Sequence, residues 1–170
     1  MSSYPHLQSL TLLILLLISP ALAERHEGIQ GVSLEPPVGW LQTSDSEAPL
    51  ILMAPKRLEN FHPNVNVLIQ KTGNLSYDEY HGLTVKSAPS VNGVVSGYAP
   101  FIFDTQETGR RMELTFESNG YKLKSLGVWL TKDGLTYLVT GTTTIEDFPN
   151  KKGVFQKIAR TLRIRLDENP

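Results

Sequence analysis

The chain has 170 residues, no cysteine, and 16 Lys and Arg against 17 Asp and Glu, for a formal net charge of −1. That length supports one core without covalent staples, and the missing cysteine excludes disulfides, thiolate catalysis, cysteine metal sites and lipid attachment at a cysteine. Interspersed, nearly balanced charge argues against a nucleic-acid footprint and against a strongly charged membrane-binding surface.

Residues 1–23 contain no Lys, Arg, Asp or Glu, and Leu10 to Ile18 is apolar apart from Thr11. The run is too short to span a bilayer and ends in Ser19-Pro20-Ala21-Leu22-Ala23, a small-residue cleavage pattern after a helix breaker. An export signal over 1–23 is predicted, with a mature single domain over 24–170 beginning at Glu24. An uncleaved anchor and a buried helix are the competing readings.

From Ile29 to Glu35 the alternation predicts a strand with Val32 and Leu34 inward, stopped by Pro36-Pro37. Val38-Gly39 then turns into Trp40, whose indole is expected to fold back over the core. Ser44 to Ala48 reads as a loop, Leu50 to Ala54 as a short apolar strand, and Lys56 to Pro63 as a loop carrying His62. Asn64 to Lys71 resumes alternation through Val65, Val67 and Ile69.

At Ser76-Tyr77-Asp78-Glu79 the pattern becomes a capping box, in which the hydroxyl and the carboxylate satisfy otherwise unpaired N–H groups at a helix start. The helix carries His81, is weakened by Gly82 and ends by Pro89. Asn74-Leu75-Ser76 is also a glycosylation sequon, but the cap already accounts for the serine. Val91 to Glu107 alternates poorly. Tyr98, Phe101 and Phe103 are expected in the core, with an exposed binding patch as their other reading, and Pro100 at an edge or bulge because it lacks a ladder donor.

Arg110 to Thr143 reads as an antiparallel meander. Met112, Leu114 and Phe116 recur at period two, one face core and the other water, and Asn119-Gly120 and Asp133-Gly134 supply the positive-φ pairs of type I′ turns. Phe148, Phe155, Ile158, Ala159 and Leu162 then mark one side of a final helix. Asp147 is its predicted N-cap, Pro149 sits in its first turn, and Lys151, Lys157, Arg160 and Arg163 lie elsewhere on it. Asp167 to Pro170 reads as a loose tail.

The Pro-Pro-Val-Gly-Trp turn, the mid-chain helix, Gly109-Arg110, and Asp133-Gly134-Leu135-Thr136-Tyr137-Leu138-Val139-Thr140-Gly141 leading into Phe155-Gln156-Lys157-Ile158-Ala159-Arg160-Thr161-Leu162 resemble the PsbP-like and DcrB-like proteins. The resemblance covers residues 29–165 and implies an α+β fold, an antiparallel β-sheet flanked by helices in an α/β/α sandwich. Its members are accessory or adaptor proteins: lumenal photosystem subunits, periplasmic DcrB and small chaperones of secreted effectors. It brings no shared catalytic set. Many members are lipid-anchored, and this chain lacks the cysteine for that.

No constellation of residues identifies a reaction. His26, His62 and His81 are isolated in sequence, none with metal-ligand spacing, and no nucleophile elbow, P-loop or dinucleotide fingerprint occurs. The reading is a non-enzyme: no catalytic, cofactor-binding or metal residues and no cofactor. The chain is read as an exported binding or assembly factor, monomeric and without stable membrane insertion once the signal is removed, whose partner is another protein. The periplasm is the expected compartment, with thylakoid lumen or extracellular medium as alternatives. Two rivals stand beside it, an immunity or chaperone protein for a secreted toxin and a hydrolase using His62 or His81.

Overall fold

The computed structural model describes residues 31–44, 48–55 and 61–165. The expected export signal, His26, the opening of the first strand and the C-terminal tail lie outside them.

The described residues form nine strands and two α-helices. β1 (Val32–Ser33), β2 (Leu41–Thr43), β3 (Leu50–Met53) and β4 (Asn64–Lys71) precede α1 (Tyr77–Ser87). A 3-10 turn, Ala88–Val91, then leads into β5 (Val94–Ile102), β6 (Thr108–Ser118), β7 (Tyr121–Lys132) and β8 (Leu135–Thr144). The last elements are α2 (Phe148–Arg160) and β9 (Arg163–Ile164). Seven strands make one antiparallel sheet in the order β2-β3-β4-β8-β7-β6-β5. β1 pairs instead with β9 in a separate ribbon, closed by the Arg165 N–H donating to the Gly31 carbonyl at 2.6 Å.

The meander forms as read. Asn119 and Gly120 have φ of 50° and 80°, and Asp133 and Gly134 have 52° and 76°, the paired positive values a type I′ hairpin needs. The capping box also forms: the Glu79 N–H donates to Ser76 Oγ at 3.2 Å while the Ser76 N–H donates to Glu79 Oε2 at 2.8 Å. Pro89 does not end the winding at once, because a missing N–H costs nothing in the first turn of the 3-10 segment that continues α1.

The half-wet strand expected over Arg110–Glu117 forms as β6, with Met112, Leu114 and Phe116 buried, whereas β8 is buried along its whole length. Two further expectations hold only in part. Asp147 stands at the start of α2 but makes no side-chain bond to a helix N–H; its αR backbone, φ −89° and ψ −12°, differs from the extended form typical of a capping residue. Tyr98 is not a core residue, whereas Phe101 and Phe103 are.

On one face of the sheet, α2 and the β1–β9 ribbon cover an apolar cluster that includes Val65, Val67, Leu126, Val128, Tyr137, Val139, Phe155 and Ile158, with Trp40 packed against it as expected. Gly141 makes this possible. A Cβ there would lie 2.3 Å from the Phe155 ring, so the glycine lets the helix settle against the strand. On the other face, α1 buries only Tyr80 and Thr84.

Candidate functional site

The clustered polar and aromatic chemistry of the fold lies where α1 crosses β5, β6 and β7. The capping box fixes the first turn of α1, placing Tyr77 and His81 four residues apart on neighbouring turns, with Asp78 between them. β5 contributes Tyr98 through a β-bulge. Register passes from Ser96 opposite Glu113 to Ala99 opposite Arg111, so Gly97 and Tyr98 share the place opposite Met112, and Gly97 takes the φ of 68° that the bulge requires. The step brings Tyr98 onto the α1 face.

Tyr98 is held on three sides. Its ring stacks on His81 at 4.1 Å between centroids and on the buried Trp129 at 6.0 Å, and its hydroxyl donates to Asp78 Oδ1 at 2.5 Å. Tyr80 packs on Trp129 from below at 5.4 Å and donates its hydroxyl to Gln70 Oε1 at 2.6 Å. Beside them, the Arg110 guanidinium lies 5.1 Å above the Tyr77 ring, and its Nη1 donates to the Gly109 carbonyl at 3.1 Å. Tyr77 is itself pinned, donating to the Thr108 carbonyl at 3.2 Å and accepting from the Thr131 N–H at 3.3 Å.

Two phenols here, Tyr98 and Tyr80, are pushed upward. Partial burial and the bond to Asp78 raise the Tyr98 hydroxyl above the ordinary tyrosine range, against an opposing pull from Arg110. Complete burial pushes the Tyr80 phenol up further. What the arrangement offers is a set of rigid aromatic planes, one stacked guanidinium and one carboxylate, suited to stacking and hydrogen bonding.

The two histidines singled out from sequence are put to different uses. The His81 ring is engaged by Tyr98, and His62 precedes β4 with Nδ1 3.3 Å from the Ala54 carbonyl. Among the described residues no group of three or more His, Asp or Glu side chains could hold a metal ion, and no helix is long and apolar enough to cross a membrane. The basic side of α2 is partly engaged within the fold: Lys152 pairs with Glu113 at 2.6 Å and Arg160 with Asp104 at 3.1 Å.

The sequence offers Tyr98 as a core residue or as part of an exposed binding patch, and marks Arg110 only as a strand opening. The available signal was Gly97 inside an aromatic strand, which marks a bulge and thus a side chain turned to an unexpected face.

No protein-family model matches the chain, and neither does any curated protein. Solved structures do. LpqN of Mycobacterium tuberculosis, described as involved in cell envelope biogenesis, superposes with a TM-score of 0.57 at 13% identity, over 84% of this chain and 89% of that one. PsbP (CyanoP) of the cyanobacterium Synechocystis gives 0.52 at 11%, over 83% and 96%. A Pseudomonas aeruginosa protein of unknown function gives 0.59 at 14%, over 81% and 99%. At these identities the likeness concerns the fold.

Proposed function

We propose, from the PsbP-like fold that this chain has, that it is an exported, non-catalytic accessory or assembly factor acting through contact with another protein. The observation that carries this reading is the ledge of Tyr77, Asp78, His81, Tyr98 and Arg110. Tyrosine and arginine supply a disproportionate share of binding energy at protein interfaces, tyrosine because its large amphipathic ring has few rotamers and arginine because its planar guanidinium stacks and donates several hydrogen bonds at once. Here their rotamers are already set by stacking and hydrogen bonds, so part of the ordering cost of association is met before a partner arrives. The envelope role described for LpqN is consistent with work outside the cytoplasm, as is the apolar segment ending at Ala23. Signal cleavage after Ala23 gives a mature chain beginning at Glu24, which intact mass of the exported protein reads directly.

In-cell crosslinking of the mature protein, followed by mass spectrometry, tests the binding role. One dominant protein partner is expected, and the Tyr98→Ala/Arg110→Ala variant should lose it while keeping the wild-type circular dichroism spectrum. Diffuse crosslinks, unchanged in the variant, would remove the reading.

A further inference from the structure

On the α1 face of the sheet, the polar side chains at one end bond to one another. Thr136 Oγ1 lies 2.9 Å from Thr72 Oγ1 and 3.1 Å from Thr131 Oγ1, and Gln70 accepts from Tyr80. Farther along the same two central strands this stitching stops. Asn66 on β4 stands opposite Thr140 on β8, and Thr142 lies one pleat beyond, on the same face. All three are at most 3% exposed. Asn66 Oδ1, Thr140 Oγ1 and Thr142 Oγ1 have no hydrogen-bonding partner in the chain.

Directly opposed side chains lie about 5 Å apart and the next pleat about 7 Å away, so one small molecule or a short chain of them can reach all three atoms. Three adjacent buried polar atoms left unpaired would cancel much of the stability of a domain this size. Apolar replacements would pack there at no such cost. The chemistry of a matching guest follows from the atoms. Asn66 Oδ1 only accepts, so the guest must donate, and the two hydroxyls can both donate and accept. Among the described residues no Lys, Arg, His, Asp or Glu is buried, so nothing on this face compensates a charge.

We infer that Asn66, Thr140 and Thr142 form a buried binding site for a neutral, hydroxyl-bearing guest, of which water is the smallest. The site is separate from the ledge and does not depend on the binding role proposed above. Thr→Val keeps the shape of the side chain and removes only its hydroxyl, so the direction of its effect reads the site. With a guest in place, Thr140→Val and Thr142→Val each lower the Tm, by about 3 °C; an unpaired hydroxyl replaced by a methyl group would leave the Tm unchanged or raise it. Should a variant fail to fold, the wild-type protein still decides. Its NMR spectra should show nuclear Overhauser contacts from the Thr140 and Thr142 methyl groups to a long-lived water, or native mass spectrometry a stoichiometric small-molecule adduct. The first outcome identifies water as the guest and the second a hydroxylated ligand. An unchanged or raised Tm in both variants overturns the inference, as does a wild-type protein with neither the water contact nor the adduct.

Discussion

Beneath α2 the sheet meets Phe148, Phe155, Ile158 and Leu162 with Val65, Val67, Tyr137 and Val139, while beneath α1 it presents Asn66, Gln70, Thr136, Thr140 and Thr142 to a helix that buries only Tyr80 and Thr84. Of the six buried side-chain polar atoms without a partner among the described residues, Tyr137 Oη alone belongs to the α2 face. The same strands therefore serve a dry side held by close packing and a mixed side, where Leu68, Met112, Trp129 and Leu138 pack with Tyr80 in a second apolar cluster and buried polar side chains lie beside them. Interior packing of the first kind tolerates little change, whereas the second trades stability for chemistry that a guest or partner can meet.

The sharpest way to break this contrast is at the glycines. Gly141→Ala drives a methyl group into the Phe155 ring and should cost about 3 kcal/mol in denaturant melts. A midpoint near wild type would mean that α2 is not seated on β8 as described. On the opposite face, Tyr80→Phe deletes the bond to Gln70 and leaves that amide unpaired, for an expected loss of about 1–2 kcal/mol. A loss as large as that of Gly141→Ala would make the two faces equally dependent on packing.

Acid should loosen the α2 side through Glu113. Burial disfavours its charge, but Lys124 at 2.7 Å and Lys152 at 2.6 Å outweigh that and hold the carboxyl below the usual glutamate range. A depressed carboxyl stabilises the folded state above its unfolded pKa of about 4.3, and this contribution is lost as pH falls through the folded value. Thermal melts from pH 6 downward should therefore fall less steeply in Glu113→Gln than in wild type; parallel curves would show that the two lysines do not tie α2 to β6 and β7. The smallest effect concerns Gly82, whose added Cβ meets nothing within 4 Å. Gly82→Ala should raise stability by up to about 1 kcal/mol through helix propensity alone, and a loss would mean that α1 needs freedom there.

The elements were legible where local chemistry decides them. Asn119-Gly120, Asp133-Gly134 and Ser76 to Glu79 each encode a backbone geometry within a few residues, and all three form. The alternation of β4 likewise runs over the predicted Asn64–Lys71. Long-range placement was less legible. Thr136, Thr140 and Thr142 alternate with Tyr137, Val139 and Gly141 as a half-wet strand would, and only the position of β8 at the middle of the sheet, with both faces covered, buries them. The ledge was hidden for a related reason: Tyr98 and His81 meet across a helix, a 3-10 turn and a bulge, and no spacing rule carries a side chain through all three. The isolated histidines draw attention by residue type, whereas Tyr77 reads only as part of a capping box and Tyr98 first as a core aromatic.

The β1–β9 ribbon also sets an orientation. Val32, Leu34 and Ile164 pack with the α2-side cluster, and Gly31 and Arg165 sit within a hydrogen bond of each other. Chain entering at Gly31 and chain leaving at Arg165 thus share one corner of the α2 layer. A fusion partner, affinity tag or surface linkage attached at either point would hold the domain from that corner, leaving His81, Tyr98 and Arg110 on the opposite layer to face outward.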